Sequence, residues 1–146
     1  MTMGVNHLGH FYLTSLLWPL ITKASQPRVI NVSSTAHRGA GFMRKYNSID
    51  FGDMNLKKTE YSWKLAYSRS KMANILFTNE LQTKMNSASF KGSTYSLHPG
   101  VIPTDIIRDT GIWSPIVKFL FVLVGLIFFK NDREGAQTTL HLILSE

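Results

Sequence analysis

Arg28-Val29-Ile30-Asn31-Val32-Ser33-Ser34 is the stretch on which the fold turns. It follows a break at Gln26-Pro27 and runs straight into polar residues. A short β-branched run with those borders reads as a buried parallel strand. Parallel strands need crossover connections, usually helical, and ligands in such sheets sit beyond the carboxyl ends of the strands. Ser33 and Ser34 therefore stand where an α/β fold does its chemistry. A serine in that place equally starts the next turn. Asn31-Val32-Ser33 also spells a glycosylation sequon, but its strand context predicts burial.

Downstream, residues 35–62 are polar, carry Gly39, Gly41, Gly52 and Asn47, and hold no sustained period. They read as a long excursion with at most short helical pieces. From Trp63 to about Met85 an amphipathic helix is expected, with Leu65, Ala66, Met72, Ala73, Ile75, Leu76, Phe77 and Leu81 as its apolar members. Within it, Tyr67 and Lys71 are four residues apart, which puts both on one helix face. A free phenol titrates near ~10, and a neighbouring ammonium favours the phenolate by about 1.4 kcal/mol for each pKa unit. Such a pair can serve as a general acid/base on an alcohol oxygen. The same spacing also suits two solvated neighbours. The small residues Ala66, Ser68, Ser70 and Ala73 around the pair would let a flat ligand approach the helix.

A second strand is expected at Ser93–Leu97, ended abruptly by His98-Pro99-Gly100, with the Thr104 hydroxyl four residues beyond. Residues 106–130 are irregular and mostly apolar, with Trp113 and the run Phe119–Phe129. Eleven uninterrupted apolar residues fall short of the ~20 that a membrane-spanning helix needs, so a core helix or a segment lying on a bilayer is the better reading. Asp132 reads as the N-cap of a final helix that runs through Leu144.

Upstream, residues 2–24 read as a helix whose apolar positions, Val5, Leu8, Phe11, Tyr12, Leu16, Leu17 and Leu20, recur at three- and four-residue steps. Pro19 should kink it or open its last turn. Asn6 and Gly9 are both poor helix formers, and together in one turn they point to a local task. His7 and His10 share a face without a third ligand nearby, which favours packing or surface roles over metal.

The chain has 146 residues and 44% hydrophobic content, enough for one domain with a core. It lacks cysteine, which removes disulfides and thiolate–metal sites. Lys+Arg 16 against Asp+Glu 9 gives +7, and half of the basic residues lie between Arg38 and Lys71. That excess suits a phosphate-bearing cofactor, an acidic lipid surface, a nucleic acid or plain solubility.

Taken in order, these motifs resemble the short-chain dehydrogenase/reductase family, and within it the retinol-dehydrogenase-like branch. Asn6-His7-Leu8-Gly9-His10-Phe11 resembles the helix with the family's active-site asparagine, and Asn31-Val32-Ser33-Ser34 the strand end with its serine, which selects Ser34. Tyr67 and Lys71 match the family's tyrosine and lysine, and His98-Pro99-Gly100 with Thr104 the loop at the nicotinamide end of the cofactor. Asp132-Arg133-Glu134-Gly135-Ala136 is similar to the start of the branch's late helix. The 33-residue separation of Ser34 and Tyr67 is accommodated by the excursion, an insert typical of the branch.

The resemblance implies an oxidoreductase that interconverts a lipophilic alcohol, retinol-like or other, with its aldehyde or ketone. Asn6, Ser34, Tyr67 and Lys71 would be catalytic. Tyr67, Lys71, Pro99, Gly100 and Thr104 would bind the cofactor, NADP by the branch's habit with NAD as the alternative. Residues 106–130 would be the variable substrate-binding region. It further implies a possible homodimer through helices 2–24 and 63–85, no nucleic-acid partner, and an intracellular setting, cytoplasmic or at the endoplasmic-reticulum membrane. The family's glycine-rich phosphate motif should precede Asn6, yet no G-x-x-x-G-x-G pattern occurs in the chain. The expected fold class is thus α/β, a partial Rossmann-like doubly wound parallel sheet with its N-terminal βαβ half missing. Residues 1–146 would be the C-terminal part of one domain, a fragment that binds cofactor weakly. The alternative is a truncated, non-catalytic product that dimerises with full-length partners.

Overall fold

The structure is a computed structural model that describes residues 1–38, 49–100 and 131–145. They fall into two compact units, Met1–His98 and Pro99–Glu146. The first unit is a β–α–β arrangement preceded by a helix. Strand β1 (Arg28–Val32) and strand β2 (Ser93–Leu97) pair in parallel, with Arg28 opposite Ser93 and Val32 opposite Leu97. The pairing extends one residue past β1, where the Ser33 N–H donates to the Leu97 carbonyl at 2.7 Å. The long helix α2 (Trp63–Ser87) makes the crossover. This is the partial Rossmann-like α/β fold that the strand at 28–32 predicts.

Helix α2 begins where Ser62, in extended backbone, accepts the Leu65 N–H with its side chain. It packs on the two strands through Ala73, Leu81 and the fully buried Met85, with Leu97 from β2. Gln82 joins in from the same face: its Oε1 accepts the Thr94 N–H at 2.7 Å and its Nε2 donates to the Gly92 carbonyl. A Cβ at Gly92 would stand 2.7 Å from the Phe90 ring and 3.0 Å from the Met85 sulfur, so a larger residue there would displace those side chains.

Strand β1 departs from the expected burial. Asn31 is buried, but Arg28, Val29 and Ile30 are half-buried and Val32 is 42% exposed. Parallel strands are normally covered on both faces. Among the described residues only two strands pair, so β1 keeps an open edge.

The N-terminal helix divides in two. Residues Gly4–Leu8 form a π-helical turn, closed by the Gly9 N–H on the Gly4 carbonyl, and α1 (Gly9–Ile21) continues from it. The helix thus ends three residues earlier than expected, with Pro19 opening its last turn. Leu8, Phe11, Tyr12, Leu13, Leu16, Leu17 and Leu20 are all exposed, so the apolar period of α1 does not mark a buried face of this unit.

Between β1 and α2 the excursion supplies two short 3₁₀ turns, Thr35–Arg38 and Phe51–Asp53, in keeping with its sequence. In the second unit, α3 (Asp132–Leu144) ends where predicted but is capped differently. Asn131, not Asp132, is the N-cap. Its side chain accepts the Glu134 N–H at 2.8 Å while the Glu134 carboxylate accepts the Asn131 N–H at 2.9 Å, a reciprocal capping box. Thr104 and the apolar region 106–130, with its Phe-rich run, lie outside the described residues. Among the described residues no helix is long and apolar enough to cross a membrane.

Candidate active site

Tyr67 and Lys71 sit one turn apart on α2, with the Lys71 ammonium 5.6 Å from the centre of the Tyr67 ring. Lys71 is clipped to the end of β1 twice. Its Nζ donates to the Val32 carbonyl at 3.1 Å, and its own carbonyl accepts the Ser33 hydroxyl at 2.8 Å. Partial burial lowers the Lys71 pKa by desolvating the ammonium. The pair predicted from spacing alone is therefore held at the carboxyl end of a parallel strand.

The two serines divide their work. Ser33 is buried and its hydroxyl is committed to the Lys71 carbonyl. Ser34 lies just past the strand, half-buried, and opens the following turn: its hydroxyl accepts the Ala36 N–H at 3.2 Å and its carbonyl accepts the His37 N–H at 3.2 Å. Ser34 thus starts the following turn, and a hydroxyl that accepts from Ala36 still has its proton to donate.

Asn6 stands inside the π-turn, where it reaches α2. Its Nδ2 donates to the Ser70 hydroxyl at 3.1 Å, and its carbonyl accepts the Asn74 Nδ2 at 3.0 Å. A π-turn loosens the helical ladder and leaves a carbonyl available sideways. That is the structural task behind two poor helix formers in one turn. His7 follows it inward, with Nδ1 3.0 Å from Asn74 Oδ1 and its ring edge-on to Phe77 at 6.1 Å.

The small residues beside the pair do something other than predicted. Ser68 and Ser70 are fully buried and Ala66 and Ala73 are buried, so the protein itself, rather than a ligand, lies against them. Ser68 donates to the Ala36 carbonyl at 2.9 Å, and Ser70 donates to the Tyr67 carbonyl at 2.7 Å while holding Asn6. Their smallness lets the 35–38 turn and the π-turn approach α2 closely. Pro99 and Gly100 belong to the second unit, where Gly100 takes φ 101°, a left-handed value that glycine adopts without strain.

Three groups had no place in the sequence reading. Asn74 is fully buried and makes three side-chain hydrogen bonds, to Asn6, His7 and Val32. Thr78, one turn on, donates to the Asn74 carbonyl and accepts from Asn31 Nδ2 at 2.9 Å, which buries the sequon asparagine as its strand context predicts. Asp53 is the third: its carboxylate accepts the N–H groups of Lys57, Lys58 and Thr59 and the Thr59 hydroxyl, and its carbonyl accepts Arg69 Nη1 at 2.9 Å. Burial alone would raise the Asp53 pKa, but those hydrogen bonds outweigh it and bring the value down to about 2. The sequence signal for Asn74 and Thr78 is a polar residue at every fourth position along α2, at Ser70, Asn74, Thr78 and Gln82.

No family model matches the chain. Against curated proteins it is 42% identical over 145 residues to retinol dehydrogenase 14 of Homo sapiens, covering 99% of this chain and 40% of that protein. It is 41% identical over 144 residues to retinol dehydrogenase 12 and 38% identical over 149 residues to retinol dehydrogenase 13, both of Homo sapiens, covering 99% and 100% of this chain and 41% and 42% of those proteins. Among solved structures, an uncharacterised protein from Mycobacterium paratuberculosis superposes with a TM-score of 0.58 at 41% identity, over 73% of this chain and 36% of its own. The chain thus spans about two-fifths of the length of the curated relatives it matches.

Proposed function

We propose that the chain, which is similar to retinol dehydrogenases over about two-fifths of their length, carries the proton-transfer machinery of a short-chain dehydrogenase/reductase acting on a lipophilic alcohol and its carbonyl partner. The observation behind this reading is the Tyr67–Lys71 pair at the end of β1, with Ser34 next to the strand terminus. In the reductive direction the Tyr67 phenol gives its proton to the substrate oxygen, and in the oxidative direction the phenolate takes it back. Lys71, held by the Val32 carbonyl, places its ammonium 5.6 Å from the centre of the Tyr67 ring. Ser34 donates its hydroxyl proton to the same substrate oxygen and holds it for transfer. Asn6 sets the depth of α1 against α2 at the turn that faces Ser70.

The residues suit a nicotinamide cofactor. A half-buried ammonium and a phenol flank the carboxyl end of a parallel strand, the place where α/β sheets take nucleotides. When bound, such a cofactor supplies or accepts the hydride. Tyr67 and Lys71 would hold it, with NADP preferred over NAD. Retinol-like alcohols are the substrate class that the relatives' names support. In a chain extended to the relatives' full length, Tyr67→Phe should remove NADPH-dependent reduction of a retinal-like aldehyde by at least ~100-fold and leave the circular dichroism spectrum unchanged. Near-normal turnover would end the assignment of Tyr67.

One observation favours a second property. The apolar residues of α1 are exposed, and a groove of about 450 Å³ lined by Phe11, Trp18, Phe77 and Leu81 runs between α1 and α2. Exposed apolar patches mark interaction surfaces. This supports association of the chain through helices 2–24 and 63–85, with itself or with a full-length partner.

A further inference from the structure

The buried amide of Asn74 lies between three structural elements. Its Nδ2 donates to two carbonyl oxygens, that of Asn6 in the π-turn at 3.0 Å and that of Val32 at the end of β1 at 3.2 Å. Carbonyl oxygens only accept, so the amide orientation follows from its partners, and Oδ1 faces the His7 Nδ1 at 3.0 Å. His7 must then carry its proton on Nδ1. The Val32 carbonyl also accepts from Lys71 Nζ, so an amide and an ammonium converge on one oxygen with two lone pairs. Lys71 and Asn74 are three residues apart on α2 and reach that oxygen side by side.

We propose that Asn74 is a positioning residue for Lys71: by sharing the Val32 carbonyl and anchoring the π-turn, it fixes where the ammonium stands beside Tyr67. The Val32–Ser33 peptide is held on one side by the Ser33 N–H on the Leu97 carbonyl, and on the other its carbonyl oxygen is shared by Lys71 and Asn74, so without Asn74 that oxygen would keep Lys71 as its one side-chain donor among the described residues. The groups facing Lys71 are the Tyr67 ring from its own helix and, through Asn74, the His7 imidazole from the helix before it. Among the described residues no carboxylate forms an ion pair with Lys71. The position of the ammonium therefore depends on hydrogen bonds rather than on an opposing charge. The catalytic consequence rests on the oxidoreductase reading above; the geometric coupling does not.

Side-chain NMR on the chain itself tests the coupling. Asn74→Asp puts a carboxylate next to the oxygen that Lys71 holds, and should raise the pH at which the Lys71 ammonium titrates by about one pH unit. An unmoved titration in a folded Asn74→Asp chain overturns the proposal. Should that variant fail to fold, Lys71→Met replaces it: the Asn74 amide protons should shift when their co-donor on Val32 disappears, and unmoved protons overturn the proposal just as firmly. Catalysis is read separately in the full-length context. There Asn74→Leu should lower kcat at least ~10-fold with KM for the aldehyde changed less than ~2-fold, the pattern of an interaction made in the transition state. An unchanged kcat overturns the positioning role. An inactive parent protein with intact Lys71–Asn74 coupling would instead defeat the oxidoreductase reading and leave the geometry standing.

Discussion

The inner face of α2 and the outer face of α1 invert the usual distribution of side chains. Ser68, Ser70, Asn74 and Thr78 on α2 are polar and buried, whereas Phe11, Tyr12, Leu16 and Leu20 on α1 are apolar and exposed. The contrast separates two jobs that helices perform. An apolar face contributes affinity without direction, since burial of carbon is roughly proportional to area. A buried hydroxyl or amide contributes direction, since it is stable only where its partner stands. The α2 face carries the Tyr67–Lys71 pair and is fixed by hydrogen bonds to three separate elements, at Asn6, Val32 and Ala36. On the α1 face Phe11 meets the Phe77 ring of α2 at 5.2 Å, while Tyr12, Leu16 and Leu20 are exposed.

If this division holds, substitutions should affect stability in the reverse of the customary order. The largest loss should follow Thr78→Val, which keeps shape but removes the hydroxyl between Asn31 and the Asn74 carbonyl. It leaves the Asn31 Nδ2 donor buried without that partner, at a cost of about 1–3 kcal/mol by urea denaturation. A neutral result would break the comparison by showing that the buried polar row carries no energy.

Asp53→Asn sharpens the comparison through pH. The folded-state pKa of Asp53 is depressed from 3.8 to about 2, so its carboxylate contributes stability at pH values above the unfolded value. That contribution is lost as pH falls toward about 2, where the folded form takes up its proton. The stability gap between parent and Asp53→Asn should therefore be constant above pH ~4 and narrow below it. A gap that stays constant down to about pH 2 would mean that the carboxylate charge is not what holds residues 57–59.

The smallest effect should be that of Leu16→Lys combined with Leu20→Glu, at positions 60% and 63% exposed. Monomer stability should change by less than ~0.5 kcal/mol, as for other surface sites. Sedimentation should show weakened self-association relative to the parent chain. A large loss of monomer stability would mean that the outer face of α1 is part of the core after all.

Most of this division was hidden in the sequence for a physical reason. The strands at 28–32 and 93–97, the helix from Trp63 and the Tyr67–Lys71 spacing were legible because β-branched runs and a periodicity of 3.6 residues are local properties. Which face of a helix turns inward is not local. The apolar positions of α1 are periodic, yet they are exposed. The small serines of α2 suit clearance for a ligand by size alone, yet they are contacts within the protein. Asn74 is hard to single out because a polar row at four-residue spacing suits a solvated face as well as a buried one, and its three partners are 42 to 68 residues away. The N-cap of α3 shows the same limit at short range: Asn131 and Asp132 are both good caps, and the reciprocal bond with Glu134 decides between them.

The π-turn at Gly4–Leu8 also acts on the phase of the helix that follows. One extra residue in a turn advances every later side chain by about 100° around the axis. Asn6 and His7 meet α2 from within that turn, and the side chains of α1 beyond it fan out on a rotated setting. Loss of one residue from the turn would act like slipping a gear by one tooth. The helix would keep nearly all of its length, but its outer apolar residues and its inner polar contacts would no longer face their own sides.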